Sequence, residues 1–199
     1  DVNGDGFDDL LIGGGDSLYG PSDSYVVFGK ASGFNAAMNL SSLDGENGFH
    51  LIDEGNFVSS AGDINGDGYG DVIVGDVFSD YYFNDGGYRR NFVTTYASYV
   101  VFGKASGFDA TLRASDLDGT NGFSIGIGPV VSAAGDVNGD GLDDLIVSSG
   151  GDGYVIFGKA SGFNATLNLS DLDGTNGFRL DGLESDYWKG SSVSGAGDI

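Results

Sequence analysis

Apolar residues in this chain come in short runs, and the runs are punctuated by Gly, Asp and Asn. Leu10-Leu11-Ile12, Val72-Ile73-Val74 and Leu145-Ile146-Val147 form one set. Tyr25-Val26-Val27-Phe28, Tyr99-Val100-Val101-Phe102 and Tyr154-Val155-Ile156-Phe157 form a second. Continuous runs this short, bounded by turn residues, predict β-strands buried on both faces. No window carries a helical period, so almost no helix is predicted beyond one turn around Ser41-Ser42-Leu43. In the middle of the chain the pattern predicts four strands, at about 57–61, 71–75, 98–102 and 122–126.

The runs belong to a repeat. D-x-N-G-D-G-x-x-D begins at Asp1, Asp63 and Asp136, and a fourth copy opens at Asp198-Ile199, giving spacings of 62, 73 and 62. Every unit keeps the same later landmarks. They are the Phe-Gly-Lys at Phe28, Phe102 and Phe157, an Ala-Ser-Gly-Phe ending at Phe34, Phe108 and Phe163, and an Asn-Gly-Phe ending at Phe49, Phe123 and Phe178. A Ser/Val stretch then leads into the next loop: Val58-Ser59-Ser60, Val131-Ser132-Ala133 and Val193-Ser194-Gly195. Four short strands in about 60 residues suggest an all-β chain of β-propeller blades.

The nine-residue loop carries the candidate chemistry. Oxygen side chains stand at positions 1, 3, 5 and 9: Asp1, Asn3, Asp5 and Asp9; Asp63, Asn65, Asp67 and Asp71; Asp136, Asn138, Asp140 and Asp144. Position 7 would add a backbone carbonyl, from Phe7, Tyr69 and Leu142. Calcium takes about 6–8 such oxygens, and a glycine-curled loop can supply them locally. The sites expected are about three, one Ca2+ for each complete loop. An EF-hand would need a Glu at position 12, where Ile12, Val74 and Val147 stand, and a helix where these strands lie. The same test excludes a dockerin loop. The metal-free alternative is an acidic Asx-rich turn.

Composition narrows the class. Hydrophobic residues are 40% and aromatics 13%, enough for a sizeable core. The 38 glycines fit a turn-rich β protein. Thirty acids against 8 bases give a net charge of −22, which argues against nucleic acid and anionic membrane as partners. There is no Cys, hence no disulfide framework, and no apolar run reaches a membrane span of about 18 residues.

These landmarks resemble FG-GAP repeats, the blades of the integrin α-subunit propeller and of many bacterial surface proteins. The resemblance covers the whole chain. It implies blades of four antiparallel strands, with the loop joining the first strand to the second and binding calcium through the side chains at positions 1, 3, 5 and 9. It further implies an extracellular or cell-surface location. The Gly-Ala-Pro after the second strand is replaced by Gly13-Gly14-Gly15, Gly75-Asp76-Val77 and Ser148-Ser149-Gly150. The Phe-Gly before the Ser/Val strand is eroded to Asn56-Phe57, Gly128-Pro129 and Lys189-Gly190. The pattern is thus the bacterial one, and integrin ligand binding does not carry over. The expected division is a partial blade at 1–54, a blade at 55–127, a blade at 128–189, and the first strand of a further blade at 190–199. The propeller would be incomplete or part of a larger one.

The units differ chiefly at 76–92, where the second is 73 − 62 = 11 residues longer. Tyr81, Tyr82, Tyr88, Arg89 and Arg90 lie there and are candidates for contact with a glycan or protein. The alternative is a longer hairpin packed on its blade. Trp188, the only Trp, is a weaker candidate of the same kind. His50, the only histidine, reads as a surface strand residue. Sequons at Asn39, Asn164 and Asn168 matter only in a glycosylating host.

With no Cys and His50 isolated on a strand, neither a Cys-His nor a Ser-His-Asp arrangement is expected. The expectation is a non-catalytic, calcium-stabilised segment serving adhesion or surface assembly. The alternatives are a carbohydrate-binding module and a propeller appended to a hydrolase outside this segment. Expected partners are a protein or glycan at the cell surface, with self-association through open strand edges.

Overall fold

The computed structural model describes the chain except residues 15–22, 53, 54, 56, 84–88, 127, 129, 183–191, 198 and 199. For 77–83 and 89–95 the backbone alone is described. The chain is all-β, with thirteen strands in three sheets among the described residues. The first sheet runs β1 (Leu10–Ile12), β2 (Ser24–Val27), β3 (Gly48–Leu51) and β7 (Thr111–Leu112). The second contains β4 (Phe57–Gly62), β5 (Asp71–Phe83), β6 (Arg89–Val101), β8 (Gly122–Ile125) and β12 (Thr166–Leu167). The third contains β9 (Val130–Gly135), β10 (Asp144–Ser149), β11 (Asp152–Ile156) and β13 (Gly177–Leu180). Within each unit neighbouring strands are antiparallel, and the sheets are β-propeller blades that do not close into a ring.

Two apolar cores lie between successive sheets. Val72, Val74 and Val101 point toward Val26, Phe49 and Leu51 of the first sheet. Ile73 and Val100, one residue out of phase, point toward Leu145, Val147 and Ile156 of the third. A strand alternates its side chains between faces, so a run of three apolar residues serves both cores. That explains the continuous runs in the sequence. The first strand of the outer sheet shows the converse, for Leu10 is 61% exposed.

Three features exceed the sequence reading. The short helical turn falls at Leu40–Ser42 and recurs at Ala114–Asp116 and Leu169–Asp171. The outer edges of the first two sheets are each closed by a two-residue parallel strand from the following unit: β7 on β3, and β12 on β8. The boundaries at 54 and 127 therefore cut through shared sheets. Finally, the extra residues of the second unit continue β5 and β6 as one ladder, from Val72↔Val101 out to Tyr81↔Phe92 and Phe83↔Arg89. That stretch is a hairpin extension where a loop was one expectation.

Candidate functional site

Each nine-residue loop is held by its own side chains. In the first, Asp5 N–H donates to Asp1 Oδ1 and to Asn3 Oδ1, both at 3.0 Å, and Gly6 N–H donates to Asp1 Oδ2 at 2.8 Å. Phe7 N–H donates to Asp5 Oδ1 at 2.9 Å, and Asn3 Nδ2 donates to Asp5 Oδ2 at 3.1 Å. Gly4 and Gly6, at φ 70° and 86°, supply the left-handed bends that let three side chains turn over one curl. The second and third loops repeat the pattern, with Gly68 N–H on Asp63 Oδ2 at 2.8 Å and Gly141 N–H on Asp136 Oδ2 at 2.9 Å. Asx-turn chemistry is thus present in all three loops.

Position 9 behaves differently. Asp71 accepts from Ile64 N–H at 2.9 Å on one oxygen and from Gly103 N–H at 2.8 Å on the other. Asp9 does the same with Val2 and Gly29, both at 2.7 Å, and Asp144 with Val137 and Gly158 at 2.7 and 2.8 Å. One carboxylate therefore joins the loop's second residue to the Phe-Gly-Lys segment of the same unit. Only Gly fits at that segment, because a Cβ on Gly158 would meet the Asp143 carbonyl at 2.5 Å. Asp71 and Asp144 are fully buried. Burial pushes the Asp71 carboxyl up to about 7, against its two backbone donors, and the nearby Asp67 and Asp63 carboxylates push the same way. Burial also raises Asp144.

The donor set fits calcium. It is all oxygen, and each side-chain oxygen engaged by one N–H keeps a further lone pair. Among the described residues, no three His, Cys, Asp or Glu side chains gather closely enough to hold an ion on their own. The position-3 asparagines and backbone carbonyls such as those of Phe7, Tyr69 and Leu142 would be needed to complete a shell.

The loops are also stitched to one another. Asp1 O accepts from Gly70 N–H at 2.8 Å, and Val2 O from Lys104 N–H at 2.9 Å. One unit on, Asp63 O accepts from Asp143 N–H at 3.3 Å, and Ile64 O from Lys159 N–H at 2.9 Å. Asp63 N–H also donates to Asp143 Oδ2 at 2.9 Å. Tyr69 lies against Gly4, and Leu142 against Gly66, so position 7 of one loop packs on position 4 of the loop before.

Tyr81 and Tyr82 lie on β5, and Arg89 and Arg90 on β6, in the backbone-only part of the hairpin. Tyr88 and Trp188 lie outside the described residues. His50 sits on β3, stacked on Tyr25 at 4.6 Å, with Nε2 3.2 Å from Asp23 Oδ2. Sequence reasoning missed the position-2 residues. Val2 and Ile64, both buried, carry each loop into the core of the next junction. The signal available was that position 2 is Val, Ile and Val in all three loops.

No helix of the described residues is long and apolar enough to cross a membrane. A family model for the FG-GAP repeat matches residues 128–162. That window spans β9, the third loop, β10 and β11, ending in the Ala-Ser-Gly of the third unit. Residues 128–162 thus carry an FG-GAP repeat, and its landmarks recur in the two earlier units.

Proposed function

We propose that the three loops bind calcium and that the chain is a non-catalytic, calcium-stabilised extracellular propeller segment acting in adhesion or surface assembly. The observation that carries this reading is the coupling of the loops. The first two oxygen-rich curls are hydrogen-bonded through Asp1 O and Val2 O, and through Asp63 O and Ile64 O, to the next unit. A cation held by side chains 1, 3 and 5 would therefore brace a junction between blades as well as a turn. It would also offset the repulsion among Asp63, Asp67 and Asp71.

Extracellular calcium modules bind at about 10⁻⁴–10⁻³ M. At calcium about tenfold above Kd, one site adds about 1.4 kcal/mol, and three independent sites about 4 kcal/mol. Thermal melts in calcium and in chelator test this. Melting should fall by about 8–16 °C in chelator for a chain of this size. Equal melting under both conditions would remove the support for calcium.

A second reading is contact with a glycan or protein through the hairpin. The paired ladder continues past Asp76↔Ala97 to Phe83↔Arg89, in an aromatic-rich stretch with no counterpart in the other units. Shortening it between Asp76 and Ala97 should abolish partner binding while the calcium-dependent melt survives. Unfolding on that deletion would mark it as a packing element.

A further inference from the structure

The two contacts between successive loops share a backbone pattern and differ in one side chain. At position 8 the second loop has Gly70 and the third has Asp143. Gly70 N–H donates to Asp1 O at 2.8 Å, and Asp143 N–H to Asp63 O at 3.3 Å. Asp143 adds a carboxylate where Gly70 adds nothing. Its Oδ2 accepts from Asp63 N–H at 2.9 Å. One residue of the third unit therefore holds the backbone of Asp63 at both its N–H and its carbonyl.

The chain makes room for this contact. Asp63 follows Gly62, at φ 72°, where the β4–β5 register shifts. A Cβ on Gly62 would strike the Asp143 carboxylate. Position 62 can therefore carry no side chain while Asp143 lies across it.

Both ends of the contact fall within the candidate sites. Asp63 is position 1 of the second loop. Its Oδ1 accepts from Gly66 and Asp67 N–H at 2.7 and 3.1 Å, and its Oδ2 from Gly68 N–H at 2.8 Å. Asp143 stands between positions 7 and 9 of the third loop. On one side of it Leu142 packs on Gly66 of the second loop. On the other, Asp144 is buried and tied to Val137 and Gly158. Residues 142 and 143 of the third loop thus touch the second loop at its positions 4 and 1.

We propose that Asp143 is a positioning residue that couples calcium binding in the third loop to calcium binding in the second. The inference rests on the calcium reading above. An ion held by Asp136, Asn138, Asp140 and the Leu142 carbonyl would fix the backbone next to Asp143. Asp143 in turn holds Asp63, and a position-1 residue ordered in advance lowers the ordering cost of binding in the second loop. The coupling is reciprocal, so an ion in the second loop favours one in the third. Gly70 gives the first loop no such carboxylate, and coupling between the first and second loops should be weaker.

Calorimetric titration of calcium into the intact chain tests this, with Asp5→Ala as the background so that only the second and third loops bind. In that background two ions should bind cooperatively. Adding Asp140→Ala removes the third site. The second loop should then bind its ion about fivefold or more weakly than it does beside an occupied third loop. Adding Asp143→Ala instead should leave two ions bound without cooperativity. With Asp143→Ala present, Asp140→Ala should no longer change the affinity of the second loop. Asp143→Asn keeps an acceptor for Asp63 N–H and should keep the cooperativity. Two ions that bind independently in the Asp5→Ala chain, or cooperativity that survives Asp143→Ala, would overturn this inference and leave the calcium reading standing. Cooperativity lost as fully in Asp143→Asn as in Asp143→Ala would overturn the positioning role. A wild-type chain that binds no calcium would overturn both readings.

Discussion

Position 5 and position 9 of the loop hold the same residue in two different environments. Asp67 is exposed, bonded locally to Tyr69 N–H and Asn65 Nδ2. Asp71, four residues on, is fully buried, and its two oxygens tie Ile64 to Gly103. The first can exchange its partners for an ion and water at little cost. The second is a structural joint, and its loss strands two interior N–H groups. A motif written as one string of ligands thus divides into an adaptable half and a fixed half.

Asp71→Ala should break the comparison most severely. Two buried donors lose their acceptor at about 1–3 kcal/mol each, so destabilisation of about 2–6 kcal/mol is expected in calcium and in chelator alike. Denaturant unfolding under both conditions measures it. Chelation of the wild type should come next, at about 4 kcal/mol for three ions. Asp67→Ala sharpens the contrast. It should cost about 1.4 kcal/mol in calcium, the share of one site, and stay within about 0.5 kcal/mol of wild type in chelator. A large loss for Asp67→Ala in chelator would mean that position 5 is as structural as position 9.

The smallest effect concerns acid. Thr120 Oγ1 and N–H donate to Asp118 Oδ1 at 2.6 and 2.8 Å and hold its carboxyl below the usual 3.8. A depressed folded pKa contributes stability above the unfolded value that is lost as pH falls through the folded one. Thr120→Val should therefore slightly lower melting at pH 7, and the difference from wild type should shrink as pH falls below the usual 3.8. Paired melts at neutral and acid pH check the sign.

Much of the fold was legible because the repeat states the same pattern three times. The runs at Val72-Ile73-Val74 and Leu145-Ile146-Val147 gave the strands, and the loops gave the joints between first and second strands. What stayed hidden were contacts between units. Phe108 is 59 residues from Phe49 in sequence and stacks on it only because successive blades superpose. The shared edge strands β7 and β12 are two residues long, too short for any periodic signal. The division of labour between positions 5 and 9 was equally invisible, since burial rather than residue type separates Asp67 from Asp71.

Equilibrium dialysis of the intact chain against labelled calcium, at millimolar free ion and neutral pH, addresses the central claim directly. The account predicts close to three ions bound per chain, and close to two in Asp67→Ala. Fewer than one ion bound per wild-type chain, or a stoichiometry unchanged in Asp67→Ala, would contradict it.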